Sequence, residues 1–588
     1  MKSEVRSPTS EVELPERIAV EGKLEVQIPK GTRPYAGKAC FSMIFCILIL
    51  IGNLAVFAQN EPKSSYWIQL KDKKGTIFQV SHPEEFLSQR AIDRRNRQHI
   101  AIDTTDLPVS QVYLDTLKNR GLDIFHTSKW LNGVTVRTSN IALIQQIATL
   151  PFVDSIQFTR PASVLKSASA KFQEEEMSTG FDPANYSAAF YQLTQLNGQY
   201  LHRQGFRGKG IQIAILDAGF LHADQIAAFD SLRASGRILG TRDFVDPKSN
   251  VYEQHWHGAS VLSCMGGNLP GSFIGTAPDA SFYLFRTEED PTENLIEEDN
   301  WVAGAELADS LGVDVINSSL GYYKFDDPQM NHTYADMNGT TTRVARGANM
   351  AFQKGILVFN SAGNEGAVTN PWKYIITPAD GVDVIAVGAV DINGIRAPFS
   401  SFGPAFGGAI KPNVAARGLS TYLIINTGVL GYASGTSFSS PVLAGMGACL
   451  LQANPYANVK QIKMAIEQCA SQYNSPDSLL GFGIPDFEKA DQYLKMNSTT
   501  DLKTESGWTV SPNPFSDHIV IQKLNQESGN ICNISIYSLH GVCLWQSGFR
   551  TSETIWLKNL SGLPDGILIL NIRSGEKEVR LKLIKTGQ

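Results

Sequence analysis

IQIAILDAG, residues 211–219, is an apolar run that ends on a carboxylate and a glycine. Without alternation, and too short for a helix of ordinary length, it reads as a strand covered on both faces. Four later stretches repeat the form: ASFYLFR (280–286), VDVINSSLG (313–321), ILVFNSAGN (356–364) and VDVIAVGAV (382–390). Helix-compatible sequence separates them. Strand and helix in alternation over about 186–495 predict an α/β domain, a parallel sheet with helices on both faces. In that architecture sites gather at the carboxyl ends of the strands, where Asp217 stands.

The pattern changes on either side. YWIQL (66–70) reads as a strand and Phe86 to Arg97 as charged helix-compatible sequence. DIFHTSKWLNGVTVRT (123–138) reads as two strands turning near Asn132 and Gly133, NIALIQQIATL (140–150) as a short helix capped by Ser139 or Asn140, and FVDSIQF (152–158) as another strand. Residues 62–160 are therefore expected to form a small α+β domain. Residues 161–185, with Ser, Ala, Lys and the acidic run Glu174 to Glu176, read as a linker and a cheap place for a cleavage, although a plain tether has the same composition. From about 504 to 588 short alternating runs such as HIVIQKL, ISIYSLHG and VRLKLIK predict an antiparallel, sandwich-like β domain.

A chain of 588 residues is too long for one core. Its net charge of -6 offers no broad basic field, so nucleic acid is not an expected partner. The apolar stretch Ala39 to Ala58, ending with small residues at Val56 and Ala58, reads as a signal segment within a 1–58 extension; an uncleaved anchor is the alternative, and both export the rest of the chain. Past Ala58 the cysteines are Cys264, Cys449, Cys469, Cys532 and Cys543, an odd number. Cys532 and Cys543 flank an expected hairpin and could pair; Cys449 and Cys469 could pair or stay as buried thiols.

Four residues stand out chemically, each with an ordinary structural explanation beside it. Asp217 before Ala-Gly is also turn chemistry. His257, in HWHGASV, starts a helix-like stretch. Asn364, in NSAGNEG, could stabilise its own turn or donate to an oxygen that turns negative during acyl transfer. Ser437, in GYASGTSFSSPVLAG, lies at a tight helix entry where Thr436, Ser439 or Ser440 could be mere caps.

Together, and in this order, LDAG, HGASV, SAGNEG and GTSFSSP resemble the segments of the subtilisin-like serine proteases over roughly 205–490. The resemblance implies a subtilisin-like sheet and a secreted serine endopeptidase in which Asp217 orients His257, His257 is the base, Ser437 the nucleophile and Asn364 an oxyanion donor. It makes Ser318, Ser319, Leu320 and Gly321 the strand that pairs with the substrate backbone. Ala218, Ala259, Phe438 and Ser439 depart from the family pattern without removing a reacting group. No cofactor is implied for catalysis. Structural calcium is possible, with Asp243, Asp246, Glu253 and Asp336 near enough to the motifs to be considered, but no run of alternating oxygen ligands marks a site. The 62–160 block resembles an inhibitory subtilase pro-domain, which makes the chain a zymogen and its own pro-domain a partner. SPNPFSD, ISIYSLHG and GILILNIRSG resemble the C-terminal sorting domain read by the type IX export machinery of Bacteroidetes; a sugar-binding module using Trp545 and Trp556 is the rival. The rivals for the whole chain are a maturation protease with one dedicated target and a subtilase scaffold used for adhesion.

Overall fold

The computed structural model describes residues 62–163, 187–426 and 428–497, and in the tail residues 508–511, 513, 515, 517–523, 531–550, 554–575 and 577–585. The signal segment and most of the expected linker lie outside the described residues.

The N-terminal domain is a four-stranded antiparallel sheet built from β1 (Ser64–Leu70), β2 (Asp123–Ser128), β3 (Gly133–Thr138) and β4 (Val153–Arg160), in the order β2-β3-β1-β4. The period of two along β1 sorts its side chains. Tyr66, Ile68 and Leu70 enter the domain's own small core, while Trp67 points the other way and joins the large core of the central domain with Trp130 and Leu131. Three helices accompany the sheet: α1 (Gln89–Arg97), α2 (Gln111–Asn119) and α3 (Ile141–Ile147). Asn140, one of the two expected caps, accepts from the Leu143 N–H at the start of α3.

The central domain is a seven-stranded parallel sheet of β5 (Gln212–Asp217), β6 (Ile238–Asp243), β7 (Ser281–Arg286), β8 (Val315–Ser318), β9 (Leu357–Ser361), β10 (Ile385–Val390) and β11 (Val414–Arg417). The order is β11-β10-β9-β8-β5-β7-β6, with every pairing parallel. Each of the five apolar runs read from the sequence is one of these strands. Helices α4 (His257–Gly266) and α7 (Thr436–Ala453) pack together on the sheet, and α5 (Ile296–Leu311) and α6 (Arg343–Gln353) form a second packed pair. The chain order reverses around β5, whose neighbours are β8 and β7, so a crevice opens at its carboxyl end.

The N-terminal domain docks on α5, and charge dominates the contact. Asp309 of α5, fully buried, accepts from Arg94 (2.5 Å) and Arg95 (2.8 Å) of α1 and from Lys129 (2.9 Å). Glu306, one turn earlier, accepts from Ser128 Oγ (2.5 Å) and from the Lys129 and Trp130 N–H groups. Asp106 pairs with Lys354 (3.0 Å), and Asp299 joins Thr135 to Arg343. The stretch read only as charged and helix-compatible thus carries two arginines that are 1% and 0% exposed. Partners from another domain decide that outcome, and local sequence does not display them.

The tail holds a three-stranded sheet (Trp508–Ser511, Ile519–Lys523, Thr554–Leu557) and a four-stranded one (Ile531–Ser538, Cys543–Arg550, Gly566–Ser574, Lys577–Lys585), all antiparallel. Val510, Ile521 and Ile555 of the first share one core with Ile534, Leu570 and Leu583 of the second, which makes a sandwich. Within SPNPF, Asn513 bonds Lys582 O (2.9 Å) and the Ile584 N–H (2.6 Å), tying the start of the domain to its last strand. The considered disulfides do not form: Cys532 stands opposite Phe549 and Cys543 opposite Tyr537, so their register keeps the two apart, and Cys449 and Cys469 remain thiols.

Candidate active site

Three of the four reacting candidates sit where strands end or a helix begins. Asp217 is the last residue of β5 and fully buried; its Oδ1 accepts from the Ala218 N–H (2.8 Å) and lies 2.8 Å from His257 Nδ1. His257 is the first residue of α4 and is 2% exposed. Gly258 lets the two elements meet, since a Cβ there would lie 2.3 Å from Gly219 O and 3.0 Å from Asp217 Cβ. Asp217 Oδ2 is buried with no hydrogen-bond partner among the described residues.

Ser437 is the second residue of α7. The residue before the helix, Gly435, has φ 156° and no side chain to cap the first N–H groups; Gly435 O takes that of Phe438 (3.1 Å), and Asn364 takes that of Thr436. Pro441 lies inside the helix four residues after Ser437 and lacks the N–H that would bond the Ser437 carbonyl. Ser319 Oγ supplies the missing donor to Ser437 O (2.8 Å), and the Ser437 hydroxyl donates to Ser319 O (3.3 Å). Ser440 Oγ donates to Asn317 Oδ1 (2.8 Å), adding a second tie between α7 and the end of β8.

Asn364 follows β9 on a turn. Its Oδ1 accepts from both the N–H (2.9 Å) and the hydroxyl (3.0 Å) of Thr436, which orients the amide and puts Nδ2 beside Gly435. Thr436 is thus no helix cap; it aims Asn364. Phe438, one of the departures, places its ring 5.6 Å from the His257 ring.

Ser318 and Ser319 turn to opposite faces, as strand neighbours must: Ser318 Oγ accepts from Trp301 Nε1 (2.9 Å) under α5, and Ser319 faces α7. Leu320 O accepts from Asn360 Nδ2 (2.9 Å), and a Cβ on Gly321 would meet Ile376 at 2.5 Å. The segment that follows, beginning Tyr322-Tyr323, walls this strand. Tyr322, fully buried, donates to Glu288 Oε2 (3.1 Å), and Tyr323 to Glu365 Oε2 (3.0 Å).

The carboxylates considered for calcium are taken by protein donors. Asp243 accepts from Arg286 (3.0 Å), the Val245 and Asp246 N–H groups and Ser249 Oγ; Asp246 accepts from the Lys248 N–H, Glu253 from Asn250, and Asp336 from Thr333. Sequence reading missed a cluster of three carboxylates, Glu288, Glu293 and Glu297, whose ligand oxygens lie within 4.8 Å of one another, close enough to share a cation. Carboxylates scattered over a loop and a helix start give no motif. Of the other histidines near the motifs, His202 is bonded to Thr276 O (2.9 Å) in the core, and His255 Nδ1 accepts from the His257 N–H (3.3 Å).

A parallel α/β sheet with an Asp–His pair, a helix-entry serine and an oriented Asn at one crevice defines the class of α/β hydrolytic folds with a serine at a helix start. Residues 208–483 match the subtilase family (peptidase S8), residues 65–176 the peptidase S8 propeptide domain of Bacteroidota, and residues 509–586 a secretion system C-terminal sorting domain. Residues 208–483 thus belong to the subtilase family of serine peptidases, with a propeptide domain before them and, after them, a tail that marks the chain for export or surface attachment. The chain is 29% identical over 286 residues to Subtilisin NAT of Bacillus subtilis subsp. natto, covering 48% of this chain and 66% of that one, and 29% identical over 310 residues to Subtilisin DY of Bacillus licheniformis, covering 51% and 98%. The epidermin leader peptide processing serine protease of Staphylococcus aureus shares the fold, with a TM-score of 0.50 at 16% identity over 73% of this chain and 98% of that one. The sugar-binding alternative for the tail loses ground to the sorting-domain match, and Trp545 and Trp556 lie on different sheets.

Proposed function

We propose that the chain is the zymogen of a secreted serine endopeptidase that cleaves peptide bonds through an acyl-enzyme at Ser437, with His257 as base, Asp217 as its orienting partner and Asn364 as oxyanion donor. The observation that carries this reading is the buried 2.8 Å contact between Asp217 Oδ1 and His257 Nδ1 at the crevice where Ser437 begins its helix. With Nδ1–H held by the carboxylate, Nε2 is the basic nitrogen and faces away from Asp217.

Ser437 Oγ turns from Ser319 O to Nε2, gives up its proton and attacks the scissile carbonyl carbon. The oxygen that becomes negative is met by Asn364 Nδ2 and by the N–H of Ser437 at the positive end of α7. His257 hands the proton to the leaving amine, and water repeats the cycle to free the acyl group and regenerate the hydroxyl. Residues 318–321 offer their backbone to an extended peptide, the side chains of Ser318 and Ser319 being committed to α5 and α7. No cofactor enters these steps.

Residues 62–160 act as the inhibitory pro-domain, 161–185 as the segment cut on activation, 186–495 as the catalytic domain and 504–588 as the domain that the type IX machinery reads. Intact mass of the exported protein beside its Ser437→Ala variant tests this. Loss of the 161–185 cut in the variant alone is the expected result. Identical cutting in both assigns the cut to another protease, and failure of the matured protein to cleave any peptide sinks the activity.

A further inference from the structure

We propose that Glu289 is a specificity determinant that reads a basic side chain of the substrate on the amino-terminal side of the scissile bond, and that Arg160 of the pro-domain holds its place in the uncut chain. The inference rests on the reading of residues 318–321 as the substrate strand and extends it to the kind of peptide selected.

The segment after β7 runs along the crevice. Its Thr287 N–H donates to Asp217 O (3.0 Å), and it is bound to the residues beyond the substrate strand: Tyr322 donates to Glu288, and the Asp326 N–H to Glu293 O (2.9 Å). This rim is strongly acidic. Glu288, Glu289, Asp290 and Glu293 fall within six residues, and Glu365 stands beside Asn364.

A guanidinium already occupies the rim. Arg160, the last residue of β4, places Nη2 2.7 Å from Glu289 Oε2, and the positive charge of Arg137 on β3 is favoured by the same carboxylate against a larger penalty from burial. Arg160 precedes the segment cut on activation, so the place it takes lies on the acyl side of that bond. The pair is 22% and 28% exposed, open enough for the guanidinium to leave with the pro-domain and for another to arrive. Departure of the pro-domain strips this cation from the rim, and an arginine or lysine of an extended peptide restores the charge balance.

The test uses enzyme matured from the full-length chain and paired fluorogenic peptides, one arginine being moved stepwise along the residues before the scissile bond and each peptide matched by its glutamine counterpart. At one position kcat/KM is expected to favour arginine by roughly two- to five-fold, the range of a partly exposed ion pair, and the ratio should shrink in high salt. Glu289→Gln brings that ratio to about one, and Glu289→Lys inverts it. A ratio of one at every position in the unaltered enzyme, with the glutamine peptides still cleaved, overturns the inference and leaves the proposed activity standing. So does a ratio that survives Glu289→Lys. If no peptide is cleaved at all, the proposed activity falls and takes the inference with it.

Discussion

Asn364 illustrates how much of this site lies in orientation. Its Oδ1 is held by two donors from Thr436, so the amide cannot flip without losing both bonds, and Nδ2 stays turned toward the Ser437 end of α7. Removing the amide leaves Ser437, His257 and Asp217 in place but takes one donor from the developing oxyanion. Asn364→Ala should lower kcat by roughly 10²- to 10³-fold with little change in KM, measured on a peptide substrate. Unchanged turnover would remove Asn364 from the mechanism. Ser319 shows the same economy at a neighbouring position: a residue read as part of a substrate strand also replaces the hydrogen bond that Pro441 denies to Ser437 O.

Helix α5 is the element on which the pro-domain is held. Burial alone would raise Asp309, yet Lys129, Arg94 and Arg95 hold its carboxyl well below the ordinary range, so it is charged and each cation depends on it. Asp309→Ala, made in the inactive Ser437→Ala chain, strands buried positive charge. It should destabilise the docked pro-domain by roughly 3–5 kcal/mol, read from denaturant unfolding, whereas an effect of a few tenths would mean that water reaches these cations. His126 on β2 marks a second feature of the contact. Its Nε2 lies 2.9 Å from Phe244 O and 3.0 Å from Asn300 Oδ1, and burial, with Arg137 and Arg242 adding to it, pushes its pKa from 6.5 down to about 4 despite those bonds. Between pH 6.5 and about 4 the undocked imidazole binds a proton that the docked one rejects. Docking therefore weakens as pH falls through that window, by at most about 1.4 kcal/mol per pH unit, and the effect levels off below it. Digestion of the pro-domain by an added protease, compared in Ser437→Ala chains with and without His126→Asn, should accelerate on acidification only where His126 is present.

Across the whole molecule, the proposed work falls to three domains: one to occlude, one to react and one to address the chain for export. The tail has a core of its own, with Phe515 and Asn513 closing its first residues onto the last strand, and it supplies no residue to the crevice among those described. Deleting residues from 504 onward should therefore stop the chain short of the medium and the outer surface while leaving it able to cleave peptides once matured. Cell fractionation and a peptide assay on the retained protein check this, and a truncated chain that still reaches the surface would take the sorting role away from the tail.

The sequence by itself determined the sheet, because strands buried on both faces must be apolar throughout and such runs are visible without knowing their neighbours. It also offered Asp217, His257, Asn364 and Ser437 as candidates in that order, since turn glycines and a helix entry leave local marks around each. Only the tertiary structure decided that Asp217 and His257, 40 positions apart, meet at 2.8 Å, and that Ser319 repairs the helix at Pro441. It alone decided that Arg94 and Arg95 are buried and that Glu288, Glu293 and Glu297 converge. Charged side chains carry no signal of where they end, because their burial depends on partners that other elements bring, and those partners are fixed by the packing of the whole chain.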